Sequence, residues 1–412
     1  IPDLDGQRFI FTPDVFSATR GFRFRVRVYD GDAVAGEADG PAVSGVPVTV
    51  ELPSAKRWSP DSPFLYGILF NILDANGRIV DSVRSDAGLR KIHIEGNRIF
   101  LNNEPLYQRL VLDQGFYPDG IWTAPTDDAL KRDIELSKAA GFNGARLHQK
   151  VFEPRYHYWA DRLGYLTWGE SARWGIRFIS GNWKRNDFEQ RSGNEQALYN
   201  WLTEWRDIML RDRNHPSIIA WTPFNETYDD ADPDLHARLI RDAVRLTRAL
   251  DVTRPVNDAS GYTHVTTDLW TAHQYEQSPE KLKQILALDG DGRPFRNIPA
   301  REPAYGGQPY LIDEFGGIKW IPEDRREASS AGWGYGDAPK TKDEFYERLE
   351  GQINAILYLP NICGYCYTQL TDVFQEQNGI VHFDRRLKFD MARLRAAQHR
   401  QAAIETLNTP IH

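Results

Sequence analysis

The sequence predicts a multidomain chain: a β-sandwich over residues 1–90, then a (β/α)8 TIM barrel over residues 91–412. Three observations predict it. The first 90 residues carry short period-2 runs and no helical stretch. From about residue 106, short apolar runs alternate with amphipathic helical stretches. There are eight such runs in the remaining length, matching the barrel in count and size.

The sandwich strands are read first. Phe22 to Tyr29 alternates apolar and basic residues, the pattern of a half-buried strand. Val46 to Val50 is a second run. Leu65 to Leu73 and Ile79 to Ser85 flank the turn Asp74-Ala75-Asn76-Gly77, which predicts a hairpin.

The barrel strands are read as Leu106 to Leu112, Asn143 to Leu147, Tyr165 to Trp168, Ile218 to Trp221, Pro255 to Asn257, Leu269 to Ala272, Tyr310 to Asp313 and Cys363 to Thr368. Three helical faces stand out between them. Leu198, Trp201, Leu202, Trp205, Ile208 and Met209 share one; Leu235, Leu239, Ala243, Leu246 and Leu250 share another. Phe345, Leu349, Ile353 and Ile356 share the third, behind a Thr341…Glu344 capping box. A doubly wound open sheet is the alternative. It would bring a Gly-rich phosphate turn after its first strand, and the sequence has none.

Composition removes several function classes. Fifty Lys plus Arg against 58 Asp plus Glu give a net charge of −8 with no basic block, a poor match for nucleic-acid phosphates. No stretch approaches the roughly 18 uninterrupted apolar residues of a membrane helix. The compartment stays open: periplasmic, secreted or cytoplasmic. Ile1 opens the chain with no basic-then-apolar leader, as a processed or cut end would. The 12 Trp, 18 Tyr and 20 Phe mostly fill cores, although aromatic planes also line sugar sites. Cys363 and Cys366 are the only cysteines, too few for a disulfide scaffold or a zinc site. Positions i and i+3 of a strand face opposite sides, so they read as buried free thiols.

Active sites of barrels lie at the C-terminal ends of the strands. Asn225-Glu226 follows the fourth predicted strand and Glu314-Phe315-Gly316-Gly317 ends the seventh. Two carboxylates converging across a mouth are the apparatus of glycoside hydrolysis, one proton donor and one nucleophile or base. Asp313 competes with Glu314. Alternation lets only one of the two face the lumen and does not choose between them. Neither a His-x-His nor a His-Glu-x-x-His spacing is present, so no catalytic metal and no cofactor is predicted.

These motifs resemble glycoside hydrolase family 2, the family of β-galactosidases, β-glucuronidases and β-mannosidases. The likeness runs from Trp58 to Lys388. Trp58-Ser59-Pro60-Asp61-Ser62-Pro63-Phe64-Leu65-Tyr66 looks like the end of that family's immunoglobulin-like domain, and Gly88-Leu89-Arg90 like its junction with the barrel. Asn214-His215-Pro216-Ser217-Ile218 with Asn225-Glu226 looks like the acid/base motif. Glu314-Phe315-Gly316-Gly317 occupies the nucleophile position. Thr368-Gln369-Leu370-Thr371-Asp372 and Asn378-Gly379 resemble the eighth-strand segment.

The resemblance implies a retaining exo-β-glycosidase, β-galactosidase-like first, with β-glucuronidase and β-mannosidase as the alternatives. Glu226 would be the general acid/base and Glu314 the nucleophile. Arg146 matches the strand-two Arg that steadies the nucleophile, Asn225 the contact to the sugar 2-hydroxyl, and Tyr275 the strand-six Tyr that touches the nucleophile. His148 and His273 follow strands two and six and are candidates for sugar hydroxyls. Trp168, Trp333 and Tyr367 are candidates for stacking on sugar faces. The expected partner is an oligosaccharide or glycoside. A non-catalytic carbohydrate-binding barrel is the reading from another class.

The sequence also departs from the family. Where its galactosidases carry a His-rich segment after strand one, Val111-Leu112-Asp113-Gln114-Gly115-Phe116-Tyr117 stands, so Asp113 and Gln114 are candidates to take over sugar contacts. The glucuronidase Asn-x-Lys pair is not evident near Asn378. The magnesium ligands of some galactosidases are not recognisable after Trp168-Gly169-Glu170. The N-terminal jelly-roll domain is missing from the sequence, which suggests a fragment or a more open site.

Overall fold

The computed structural model describes residues 1–16, 20–172, 188–228, 233–322 and 332–406. Two antiparallel sheets come first. One orders its strands Ala33–Pro41, Arg23–Asp30, Tyr66–Leu73, Ile79–Ala87; the other orders Pro2–Asp3, Arg8–Phe11, Val48–Glu51. The alternation in Arg23–Asp30 explains the packing. Phe24, Val26 and Val28 turn inward and share a core with Phe9, Val50, Tyr66 and Ile68 from both sheets. Arg25 turns outward, where it pairs with Asp39 on the next strand at 2.7 Å. The predicted hairpin is present, with Tyr66–Leu73 antiparallel to Ile79–Ala87. Ala33–Pro41 escaped the sequence reading because its Ala, Gly and Asp residues are poor strand formers.

Leu89 packs with this first core and Ile92 with the next. The junction between them is bolted. The buried Arg90 guanidinium donates to Pro216 O at 3.0 Å and Ile218 O at 2.9 Å, and Trp58 Nε1 donates to Asp161 O at 2.8 Å. A three-stranded antiparallel sheet, Ile92–Glu95, Arg98–Leu101 and Glu104–Pro105, then leads into the barrel.

Seven parallel strands form one curled sheet: Gln108–Asp113, Gly144–Leu147, Leu166–Glu170, Ile218–Thr222, Trp270–Gln274, Tyr310–Gly316 and Ile362–Thr368. These are barrel strands one to four and six to eight, with strand one lying between two and eight. The predicted fifth strand is reduced. Val256 bridges Trp221, and only Ala259–Ser260 pairs as a ladder, with Phe224–Asn225. Residues 261–269, which connect it to strand six, hold no helix, a departure from strict β/α alternation.

The three helical faces fall in Phe188–Asp212, Pro233–Leu250 and Lys342–Leu357. Trp201, Trp205 and Met209 are buried, as are Leu239 and Ala243, and Phe345, Leu349, Ile353 and Ile356. Thr341 Oγ1 accepts the Glu344 N–H at 3.1 Å, while the Glu344 carboxylate accepts from Lys340 N rather than from the cap residue's own N–H. Cys363 and Cys366 are free and buried. Among the described residues, no helix is long and apolar enough to cross a membrane.

Candidate active site

The strand ends build the site around Arg146, which is fully buried at the end of strand two. Its fork is completely used. Nε donates to Glu170 Oε2 at 2.7 Å, Nη1 to Glu314 Oε1 at 2.9 Å, and Nη2 to Asn225 Oδ1 at 2.6 Å and His148 Nδ1 at 2.8 Å. One guanidinium thus ties strands two, three, four and seven together, a task that suits a rigid planar fork.

His273, at the end of strand six, is the second hub. Its Nδ1 lies 2.7 Å from Glu226 Oε1 and 3.3 Å from Glu314 Oε2. Ser260 Oγ gives its proton to Asp313 Oδ2 at 2.6 Å, so it accepts from His273 Nε2 at 2.9 Å. Burial opposes a charge on the ring, but Glu314 and Asp313 outweigh it and raise the imidazolium to about 10. Both nitrogens therefore carry protons at neutral pH. Gly261 makes this placement possible: a Cβ there would lie 2.5 Å from the His273 ring.

Glu314 is equally constrained. Burial disfavours its ionised form, yet His273 and Arg146 overcome that and, with the Tyr275 hydroxyl, hold the carboxyl down at about 2. Tyr275 also contacts Thr368 Oγ1 at 3.0 Å, and its ring stacks on Tyr335 at 3.4 Å. The glycines after Glu314 have φ of 80° and 57°, and a Cβ on Gly316 or Gly317 would collide with the Tyr367 or Tyr335 ring at 2.3 Å.

Glu226 sits at φ 47°, sparsely populated for a non-glycine residue, with its N–H held by Ser260 O at 2.9 Å. Oxygens of Glu226 and Glu314 and a nitrogen of His273 all lie within 4.8 Å of one another. A triad of that size has room for a cation, but both ring nitrogens of His273 are spent on Glu226 and Ser260.

The expectation that only one of Asp313 and Glu314 could turn toward the lumen is corrected. The register shifts between Ala272 and His273 and again between Ile312 and Phe315, so the strand bulges at these two residues. An extra residue in one strand breaks alternation. His273 meets both, Asp313 Oδ1 at 3.4 Å through Nε2 and Glu314 through Nδ1.

Seven predicted residues are thus brought together: Glu226, Glu314, Arg146, His148, Asn225, His273 and Tyr275. Gln114 and Trp333 stand on the rim. Gln114 Nε2 reaches Gln369 Oε1 at 2.8 Å, and Trp333, 46% exposed, packs its edge on Tyr335. Three others lie elsewhere. Trp168 is fully buried and donates to Gln108 at 2.8 Å; Tyr367 is fully buried against Phe142 and Phe315, so both rings belong to the core. Asp113 is buried beside Asp133, and burial with that neighbour raises its carboxyl to about 6. Sequence reasoning missed Glu170, Ser260, Gln369, Glu376 and Asn297, whose side chain holds the His273 backbone, accepting from its N–H at 3.0 Å and donating to its carbonyl at 2.8 Å. Glu170 ends strand three, and that position was its one signal. A separate cavity of about 680 Å³ at the sandwich–barrel junction, lined by Lys56, Asp61 and Glu104, contains none of these residues.

The TIM-barrel domain of glycosyl hydrolases family 2 matches residues 92–306, and a further family 2 domain matches residues 14–90. The chain belongs to glycosyl hydrolase family 2. Relatives in this family include a beta-galactosidase of Vibrio vulnificus (strain YJ016), 28% identical over 258 residues, covering 60% of this chain and 23% of that protein. A beta-glucuronidase of Paenibacillus borealis is 30% identical over 237 residues, covering 56% and 37%. The chain therefore spans about a quarter to a third of the curated family 2 relatives it matches. A beta-glucuronidase from Ruminococcus gnavus, solved in complex with N1-substituted uronic isofagomine, shares the fold at 19% identity with a TM-score of 0.74 over 97% of this chain and 66% of that one.

Proposed function

We propose that this chain is the catalytic part of a retaining exo-β-glycosidase acting on terminal β-glycosides, with β-galactosidase-like specificity as first choice. Residues 1–90 would form an immunoglobulin-like domain and residues 91–412 the catalytic barrel. The observation that carries the reading is the approach of Glu226 and Glu314 oxygens to within 4.8 Å at the ends of strands four and seven. Retention needs carboxyl groups about 5–5.5 Å apart, and inversion about 6.5–9.5 Å.

In the first step a Glu314 oxygen attacks the anomeric carbon, the glycosidic C–O bond breaks, and Glu226 gives its proton to the leaving oxygen. Arg146, His273 and Tyr275 keep Glu314 ionised and hold its lone pairs in place. In the second step Glu226 takes a proton from water, and the resulting hydroxide displaces Glu314 from the anomeric carbon. Microscopic reversibility assigns both proton transfers to one residue. Asn225, whose side chain is held by Arg146 at 2.6 Å, would bind the 2-hydroxyl. A barrel that only bound carbohydrate would have no use for a buried carboxylate held ionised beside a second one.

The test is a panel of chromogenic β-glycosides with proton NMR of the first-formed sugar. Release of the β-anomer from a β-glycoside supports retention; the α-anomer would overturn it. The names of the relatives divide between beta-galactosidase and beta-glucuronidase, so the sugar is decided by the pocket wall.

A further inference from the structure

The rim of the barrel mouth carries a third carboxylate, and what it says about the sugar rests on the glycosidase reading above. Glu376 lies on the loop after strand eight. Its Oε2 accepts from Gln114 Nε2 at 3.1 Å and its Oε1 from Asn378 Nδ2 at 3.2 Å. Gln114 also donates to Gln369 Oε1 at 2.8 Å, and Gln369 Nε2 donates to Asn378 Oδ1 at 2.8 Å. The four side chains close a ring of hydrogen bonds. Gln369 and Asn378 are its buried members, and Gln114 and Glu376 are the two with exposed surface.

An aromatic wall joins this ring to the catalytic pair. Trp333 is clamped on both sides of Glu376, its N–H on Gln375 O at 2.7 Å and its carbonyl on Gln377 N at 2.8 Å. Trp333 packs on Tyr335, Tyr335 stacks on Tyr275, and Tyr275 donates to Glu314. Burial raises the Glu376 carboxyl, its hydrogen bonds from Asn378 and Gln114 oppose that, and the charge of Glu314 adds to the rise.

Among the described residues, the charges around the mouth are mainly negative. Glu170, Glu226, Asp313, Glu314 and Glu376 face two cations, Arg146 and His273, whose donors are already engaged. In the loops after strands seven and eight, Lys319 is taken by Gly332 O, Arg385 by Asp133, Arg386 by Asp384 and Lys388 by Asp372. Among the described residues, no cation pairs with Glu376.

We infer that Glu376 is a specificity-determining residue that accepts hydrogen bonds from the hydroxyls of a neutral hexose and rejects uronic acids. A carboxylate only accepts hydrogen bonds, and sugar hydroxyls donate them. A uronate brings a second acceptor-only group, so against the ionised form of Glu376 the contact would hold two negative charges, and relieving it would cost the uptake of a proton. Rejection of the wrong partner by like charge is a common source of specificity. The neutral class so selected contains galactosides, glucosides and mannosides, and excludes glucuronides and galacturonides.

The experiment compares matched pairs: p-nitrophenyl β-galactoside with β-galacturonide, and β-glucoside with β-glucuronide. These are run on the wild-type chain and on Glu376→Gln and Glu376→Lys. The wild type is expected to favour the neutral member in kcat/KM by about 100-fold or more, the size of effect that like-charge rejection gives. Glu376→Gln should narrow that ratio by at least about tenfold, and Glu376→Lys further. Circular dichroism checks that each variant is folded. Preference of the wild type for a uronide overturns the inference, as does an unchanged ratio in a folded Glu376→Gln. Calorimetric titration with galactose, glucose, galacturonate and glucuronate at pH 7 needs no turnover and separates the two proposals. If no glycoside is cleaved, the glycosidase reading fails, while tighter binding of a neutral sugar still supports the role of Glu376. Tighter binding of a uronate, or binding of neither, counts against it.

Discussion

Arg146 Nη1 stands 2.9 Å from Glu314 Oε1, with side-chain exposures of 0% and 6%. Removing one partner of such a pair leaves an unpaired buried charge, which typically costs about 3–5 kcal/mol. Arg146→Met is therefore expected to lower unfolding stability by that order and kcat/KM by at least about 100-fold, since about 1.4 kcal/mol of lost stabilisation is a decade. Arg146→Lys keeps the charge but loses the fork to Glu170 and Asn225, so it should recover only part of either loss. Urea unfolding and steady-state kinetics check both; wild-type rates in Arg146→Met would contradict the role.

The pH dependence of stability follows from the same charges. Glu314 is depressed in the folded state, from 4.5 to about 2. Its contribution is present above about 4.5 and disappears as the pH falls toward 2. His273 is raised from 6.5 to about 10, so its contribution is complete below 6.5 and disappears as the pH rises through 10. Glu314→Gln should flatten the acid limb of unfolding free energy against pH, and His273→Gln the alkaline limb. Limbs unchanged in both variants would contradict the assignment.

Tyr275 is a positioning residue for Glu314, to which it donates its hydroxyl. A hydrogen bond to a charged group is worth about 1.5–3 kcal/mol, so Tyr275→Phe should cost about 10- to 100-fold in kcat/KM. The loss should fall on kcat more than on KM, because the phenyl ring retains the stack on Tyr335. An equal rise in KM alone would mean that Tyr275 serves binding instead.

His273 spends both ring nitrogens on Glu226 and on Ser260, which leaves no lone pair for an ion. Exhaustive chelation is expected to leave turnover unchanged. A large loss restored by a divalent cation would contradict the network.

The strand-end carboxylates and Arg146 could be found in the sequence because barrel strands announce themselves as short apolar runs, and chemistry follows their C-terminal ends. The fifth strand was legible as Pro255 to Asn257, which pairs with Trp221 through two backbone hydrogen bonds, but its continuation as the Ala259–Ser260 ladder was not. Those two make a very short ladder, and their loop is shaped by Asp258, which accepts from Val265 N and Thr266 N at 2.7 Å. Side-chain contacts of that kind leave no periodic trace. The bulge at Asp313 and Glu314 was unreadable for a similar reason: alternation assumes a regular ladder, and nothing local to Ile312-Asp313-Glu314-Phe315 marks the extra residue. Trp168 and Tyr367 show the converse. A Trp or Tyr on a barrel strand satisfies both a core and a sugar-binding pattern, and only the packing chooses. Glu376 reaches the site from a loop, through a hydrogen bond from Gln114, which is far away in sequence.

The division of labour between Glu226 and Glu314 is tested most directly by azide rescue with an activated aryl β-glycoside. Glu226→Ala should still form the glycosyl-enzyme, because an acidic phenol needs little protonation. Azide needs no base, so it should restore turnover and yield the β-glycosyl azide. Glu314→Ala can form no intermediate, and azide can then attack only from the opposite face to give the α-glycosyl azide. The account predicts the β-product from Glu226→Ala and the α-product from Glu314→Ala; the reverse pair of configurations would mean that the two roles are exchanged.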